Sequence, residues 1–168
     1  ISPVDLPVPK IEMPIGISFF TFQILSYVID CYWGTIKVQK NYAKLLMYIS
    51  MFPQLVAGPI VRYSVIEKEI DDRQITMSDI SDGITRICVG LGKKVILANN
   101  LSVIVDSFFK NGNLGELSVL GTWYTVIVYA MQVYFDFSGY SDMAIGLGKM
   151  FGFTFLENFN LPYISKSI

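Results

Sequence analysis

Two carboxylates, Asp136 and Asp142, stand in the apolar stretch "VYFDFSGYSDMAIGLG" (Val133–Gly148), which contains no Lys, Arg or His. Neighbouring carboxylates are the raw material of general acid–base chemistry, where one stays protonated and the other ionised. Helical geometry separates these two. At about 100° per residue, Ser118, Thr122, Thr125, Tyr129, Gln132 and Asp136 fall on one stripe roughly 80° wide, with Val128 placed on the opposite face. Asp142 follows Ser138-Gly139, a step at which the helix is predicted to break or bend. There it would cap a new helix by accepting backbone N–H bonds.

A third acid, Asp30, shares a polar edge with Gln23 and Ser26, all within about 60° of one another. Asp30 and Asp136 have two readings. They are helix-end groups that pair with Arg62, Arg86 or backbone amides and fix packing, or they stand on a substrate path, as intramembrane acids often do. Arg62 is then the counter-ion of one of these acids or an interfacial anchor. Lys93-Lys94 is predicted to snorkel towards lipid headgroups.

Other chemistries are missing their residues. The 168-residue sequence has no histidine, so imidazole can serve neither as base nor as metal ligand within it. Cys31 and Cys88 lie in separate apolar stretches without a CxxC or Cys/His spacing, and read as small buried hydrophobes rather than a disulfide or ligand pair. No P-loop, GxSxG or HExxH occurs, and Gly146-x-Gly148-x-x-x-Gly152 misses the dinucleotide spacing. A net charge of −1 gives no basic field for nucleic acid.

The elements that must position the acids are those of a membrane protein. Hydrophobic residues make up 52% of the chain and charged ones only 16%, well under the roughly 25% of ordinary globular domains. The predicted class is all-α, a fragment of a polytopic membrane helix bundle with kinked or re-entrant and interfacial helices. Membrane segments are expected at about 14–33, 45–61, 117–137 and 140–156. Pro14 suits the first helix start, while Pro53 and Gly58-Pro59 interrupt the second. Residues 62–82 form a polar loop in which Thr76-x-x-Asp79 resembles a capping box. An amphipathic helix over 83–109 is expected to lie in the interface, because Arg86, Lys93 and Lys94 oppose crossing. Asn111-Gly112-Asn113 reads as a turn. Ala144, Gly148 and Gly152 recur every four residues, a small-xxx-small packing stripe. Beginning Ile-Ser-Pro and ending at Ile168, the chain reads as the central portion of something longer, a single domain piece over 1–168.

Five stretches, "MPIGISFFTFQILSYVIDCYWG", "FPQLVAGPIVRY", "GLGKKVILAN", "VYFDFSGYSDMAIGLGKMFGF" and "ENFNLPYISKSI", together resemble the membrane-bound O-acyltransferase family. The resemblance is to its alginate and cell-wall polysaccharide O-acetylase branch. It implies a multi-pass enzyme of the bacterial inner or plasma membrane whose helices surround a tunnel. An acetyl group from a cytoplasmic-side donor, acetyl-CoA or another acyl carrier, would pass to hydroxyls of an extracytoplasmic polysaccharide. Partner proteins of an acetylation complex are also implied. The family's catalytic histidine lies downstream of the stretch matching "NFNLPYISKSI", so no catalytic residue is expected in this chain, and these residues alone are predicted to transfer no acetyl groups. Gln132, Asp136, Ser138, Tyr140, Asp142, Asp30, Arg62 and Thr125 are the candidates for lining or bracing the tunnel. Two other functions stay open: a D-alanyl transferase of teichoic acids in the same family, and a transporter or channel piece whose seam of Thr122, Thr125, Gln132 and Asp136 conducts a solute.

Overall fold

The computed structural model describes residues 16–54, 58–59, 61–110, 118–160 and 163. The expected helix start at Pro14, the turn at Asn111-Gly112-Asn113, the third span's start at Leu117 and the loop at Pro162 lie outside them. Among the described residues the chain is helical and without strands, as the composition predicts.

Helix α1 spans Ile17–Tyr32 and enters from Gly16 at φ 79, a left-handed conformation suited to glycine. Helix α2, Tyr42–Ile49, starts where the Asn41 side chain accepts from the amides of Ala43 (3.0 Å) and Lys44 (3.4 Å). It stops ahead of Pro53, which sits in a single tight turn, Phe52–Gln54. The expected interruption of this apolar stretch is therefore present. The polar stretch that follows holds a short helix, α3 (Tyr63–Asp71), which buries Tyr63, Ile66 and Ile70 while Lys68 and Asp71 face out.

Helix α4, Met77–Gly92, begins with the capping box the sequence suggested: Asp79 N–H donates to Thr76 Oγ1 (3.2 Å), and Thr76 N–H donates to Asp79 Oδ2 (3.1 Å). A π turn over Lys93–Ala98 joins it without a break to α5, Asn99–Lys110. The stretch Met77–Phe109 is thus one helical rod, long and apolar enough to cross a membrane. The helix expected over 83–109 lies within this rod. Its Arg86, Lys93 and Lys94 do not stand free: each is matched by an acid on the neighbouring helix.

That neighbour is α6, a single helix of 32 residues from Val119 to Met150. It opens on Ser118, whose hydroxyl accepts from Gly121 N–H at 3.2 Å. The predicted break at Ser138-Gly139 does not occur, and the segments expected at 117–137 and 140–156 are joined through it. Gly139 serves close approach instead of a turn. A Cβ there would stand 2.7 Å from the Gly90 carbonyl oxygen, and one on Gly146 would stand 2.6 Å from that of Gly83. Glycines seven residues apart on each helix thus meet pairwise, Gly83 with Gly146 and Gly90 with Gly139, and bring antiparallel α4 and α6 into backbone contact. The four-residue series has other duties. Ala144 is buried, Gly148 leaves room for the Phe155 ring, and Gly152 turns the chain at φ 75 after α6 ends.

One apolar core joins the two halves. Tyr27, Tyr48, Tyr63, Ile66 and Ile70 cluster with Ile145 of α6 and with Phe153 and Phe155 beyond it. The Tyr63 ring meets Tyr27 and Tyr48 edge-on at centroid distances of 5.1 and 5.2 Å, the geometry that the ring quadrupole favours. The phenols are satisfied as well: Gln39 donates from its backbone N–H to the Tyr27 hydroxyl (2.9 Å) and from Nε2 to the Tyr63 hydroxyl (2.9 Å). Burial pushes the Tyr63 phenol above its ordinary pKa, partly offset by the Gln39 bond.

Candidate functional site

The glycine crossings leave the flanks of α4 and α6 close enough for their charges to meet. Asp142 is the centre. Its Oδ1 accepts from Arg86 Nε (3.1 Å) and Nη2 (2.8 Å), and its Oδ2 accepts from Lys93 Nζ (2.5 Å). Lys93 also donates to the Ser138 hydroxyl at 3.1 Å. Six residues back along α6 Lys94 pairs with Asp136, and towards the other end Lys149 pairs with Asp82 at 2.7 Å. Arg86 carries a further acid, Glu157, whose two carboxylate oxygens accept from Nη1 and Nη2.

The π turn explains how two consecutive lysines both reach α6. A turn closed by i→i+5 bonds advances through a smaller angle per residue than an α turn, so adjacent side chains diverge less. Lys93 and Lys94, at the start of that turn, point to Asp142 and Asp136 respectively. Where the sequence suggested snorkelling to headgroups, the structure shows each lysine directed to an acid of α6.

Asp142 is corrected too. It lies in the middle of a helix, 8% exposed, where it caps nothing and neutralises two cations. Asp136 does pair with a cation, but with Lys94 in place of Arg62 or Arg86. Arg62 sits exposed at the start of α3, and no ion pair joins it to these acids among the described residues.

Asp30 is 5% exposed and its Oδ2 has no hydrogen-bond partner. Near it, Gln23 Nε2 donates to Gln54 Oε1 (2.6 Å) and to the Tyr48 carbonyl (3.1 Å), while the Tyr48 hydroxyl donates to the Val61 carbonyl (3.0 Å). This polar group ties α1 to α2 and to the turn after it. Beside it lies a small apolar recess of about 140 Å³ lined by Phe19, Phe22, Gln23, Gln54, Pro59 and Val61.

The polar stripe on α6 is present only in part. Thr125 is buried and donates to the Gly121 carbonyl, Gln132 and Asp136 are half-buried, and Thr122 and Tyr129 are exposed. Val128 belongs to the buried face at 6% exposure, so it is not opposite Asp136 in the sense predicted. Helix periodicity located the stripe but not the neighbour it meets. Ser138 is 2% exposed, and Tyr140 is half-buried.

The residues that the sequence reading passed over are Glu157 and the glycine pairs. Their signal was the seven-residue spacing of Gly83/Gly90 and Gly139/Gly146, visible only once two distant segments are compared. Between the end of α6, α3 and α4 lies an open cleft of about 490 Å³. Its lining includes Glu69, Asp79, Arg86, Lys149, Thr154 and Glu157.

Chemically, this arrangement is a brace. Three cations, Arg86, Lys93 and Lys94, face three acids, Asp136, Asp142 and Glu157. The donors of Lys93 are directed inward to Asp142 and the buried Ser138. No group of three His, Cys, Asp or Glu side chains among the described residues is placed to hold a metal ion.

Two long helices that cross on glycines and pair their charges across the contact define an all-helical scaffold with an ionic brace. Residues 36–165 match the membrane-bound O-acyltransferase family, and the chain belongs to it. It is 44% identical to the probable alginate O-acetylase AlgI of Azotobacter vinelandii, over 96% of this chain and 32% of that protein. With the peptidoglycan O-acetyltransferase of Helicobacter pylori it shares 34% identity, over 93% of this chain and 34% of the relative. With the teichoic acid D-alanyltransferase of Bacillus subtilis it shares 32%, over 92% and 39% respectively. The chain spans about a third of the length of the curated relatives it matches.

Proposed function

We propose that the chain is part of a multi-pass O-acetyltransferase of the bacterial cell membrane that moves an acetyl group from a cytoplasmic-side donor to hydroxyls of an extracytoplasmic, alginate-like or cell-wall polysaccharide. The observation that carries this reading is the 44% identity to an alginate O-acetylase across 96% of the chain. The donor would be acetyl-CoA or another acyl carrier, and partner proteins of an acetylation complex would hand the group on or present the polymer.

In this reading the α4–α6 hairpin is a wall of the transfer site. Breaking one buried ion pair leaves an uncompensated charge, whereas a complete set of pairs is rigid and specifies one register. Asp136, Asp142 and Ser138 brace that wall, Thr125, Gln132 and Tyr140 lie along it, and Asp30 and Arg62 flank the α1–α3 side. The base that takes the proton from the acceptor hydroxyl is not among these residues, since the sequence contains no histidine.

The test is to express the full-length reading frame containing this chain in an alginate-producing bacterium that lacks its own acetylase, and to measure acetyl esters on the polymer. Restored acetylation supports the reading. Polymer without acetyl esters, at normal membrane yield of the protein, overturns it, and D-alanyl esters on teichoic acid in a matching Gram-positive host would assign the D-alanyltransferase branch instead.

A further inference from the structure

We propose that Glu157 is a positioning residue: by holding Arg86 it docks the segment that leaves α6 onto α4, and so sets one wall of the cleft and the course of the chain beyond it. The inference rests on the acyltransferase reading above.

Residues 152–157 have no regular secondary structure, yet they are tied to three helices. Phe153 N–H donates to the Gly148 carbonyl of α6 at 2.8 Å. Thr154 N–H donates to Glu69 Oε2 of α3 at 2.9 Å, and Glu157 grips Arg86 of α4. The Phe153 and Phe155 rings are buried in the core, and the Arg73 guanidinium lies 5.0 Å above the Phe153 ring centre. Past Glu157 the chain lies back along α6: Phe159 meets the Tyr134 ring at 6.1 Å, and the Tyr163 hydroxyl donates to the Ala130 carbonyl at 3.2 Å. Phe153, Thr154, Phe155 and Glu157 all line the cleft.

An isolated exposed ion pair would do little here, but this one is prepared in advance. Asp142 fixes Nε and Nη2 of Arg86, so the planar guanidinium is already aimed when the carboxylate of Glu157 closes on Nη1 and Nη2. Glu157 itself is 55% exposed on its side chain. Its removal leaves Arg86 still paired with Asp142 and no buried charge orphaned, so its effect on position separates from folding. Substitution of Arg86 lacks this property, because it also strips Asp142.

The experiment compares wild type, Glu157→Ala and Glu157→Asp in the full-length enzyme in membranes. Glu157→Ala is expected to keep membrane yield and melting temperature, to lose about tenfold or more in kcat for acetyl transfer at unchanged KM for the donor, and to speed amide exchange over 152–160. Glu157→Asp should recover part of the rate. Unchanged kcat, or a fall in rate only in proportion to yield, overturns the proposal. If the wild-type enzyme transfers no acetyl group, the acyltransferase reading fails by itself, and amide exchange still decides the docking: faster exchange in Glu157→Ala upholds it, and unchanged exchange refutes it.

Discussion

Asp142 and Asp136 both meet cations of the facing helix, and the structure makes the two unequal. The Asp142 side chain is 12% exposed and accepts from two cations, while Asp136 is 34% exposed and accepts from one. Removing one partner of a buried charge network costs about 3–5 kcal/mol, against about 0–1 kcal/mol for an exposed pair. Asp142→Leu in the full-length protein is therefore expected to collapse the yield of folded protein in membranes, and Asp136→Asn to lower its melting temperature only slightly. Size-exclusion profiles and thermal melts in detergent check both. A melting temperature for Asp142→Leu equal to wild type would show that the network does not hold the hairpin. Val128, 6% exposed, faces inward and makes no neutral control for Asp136.

At the scale of elements, the contact between α4 and α6 depends on four positions without a Cβ. Gly139→Ala drives a methyl to 2.7 Å from the Gly90 carbonyl oxygen, an overpacking expected to cost about 1–3 kcal/mol. Gly92→Ala makes an informative contrast. That position is helical, at φ −60, and has nothing within 4 Å of the added methyl, so the better helix former should stabilise by about 0.5–1 kcal/mol. Opposite signs in thermal melts confirm the packing; equal effects would refute it. Much at this scale was legible from local rules: the Thr76 capping box, the stop ahead of Pro53, and the helices themselves. Glycine at 139 was read as a breaker because a single strand of sequence shows backbone freedom and hides close approach. The acids that face the lysines were hidden for the same reason. Whether a charge snorkels or pairs is decided by a helix some 40 residues away, and periodicity carries no information about that neighbour.

Across the whole molecule the ionic groups between α4 and α6 are paired, while among the described residues Asp30 Oδ2 and Ser141 Oγ are buried without a hydrogen-bond partner. In the proposed reading such residues brace the site, and the chain has no imidazole to act as base. The purified 168-residue chain is accordingly expected to yield no acetyl ester on alginate when supplied with acetyl-CoA in liposomes, and ester formation above a protein-free control would refute this. The family was readable from five short stretches, and three of the four crossing glycine positions, Gly90, Gly139 and Gly146, fall within them. The brace was not readable, since it exists only between segments.

The most direct test of the central claim is the acetyl-ester content of polymer from an acetylase-deficient, alginate-producing host carrying the full-length gene, read by NMR alongside membrane yield. The account predicts restored esters with the wild-type gene. Abundant, folded protein with an unacetylated polymer would contradict it.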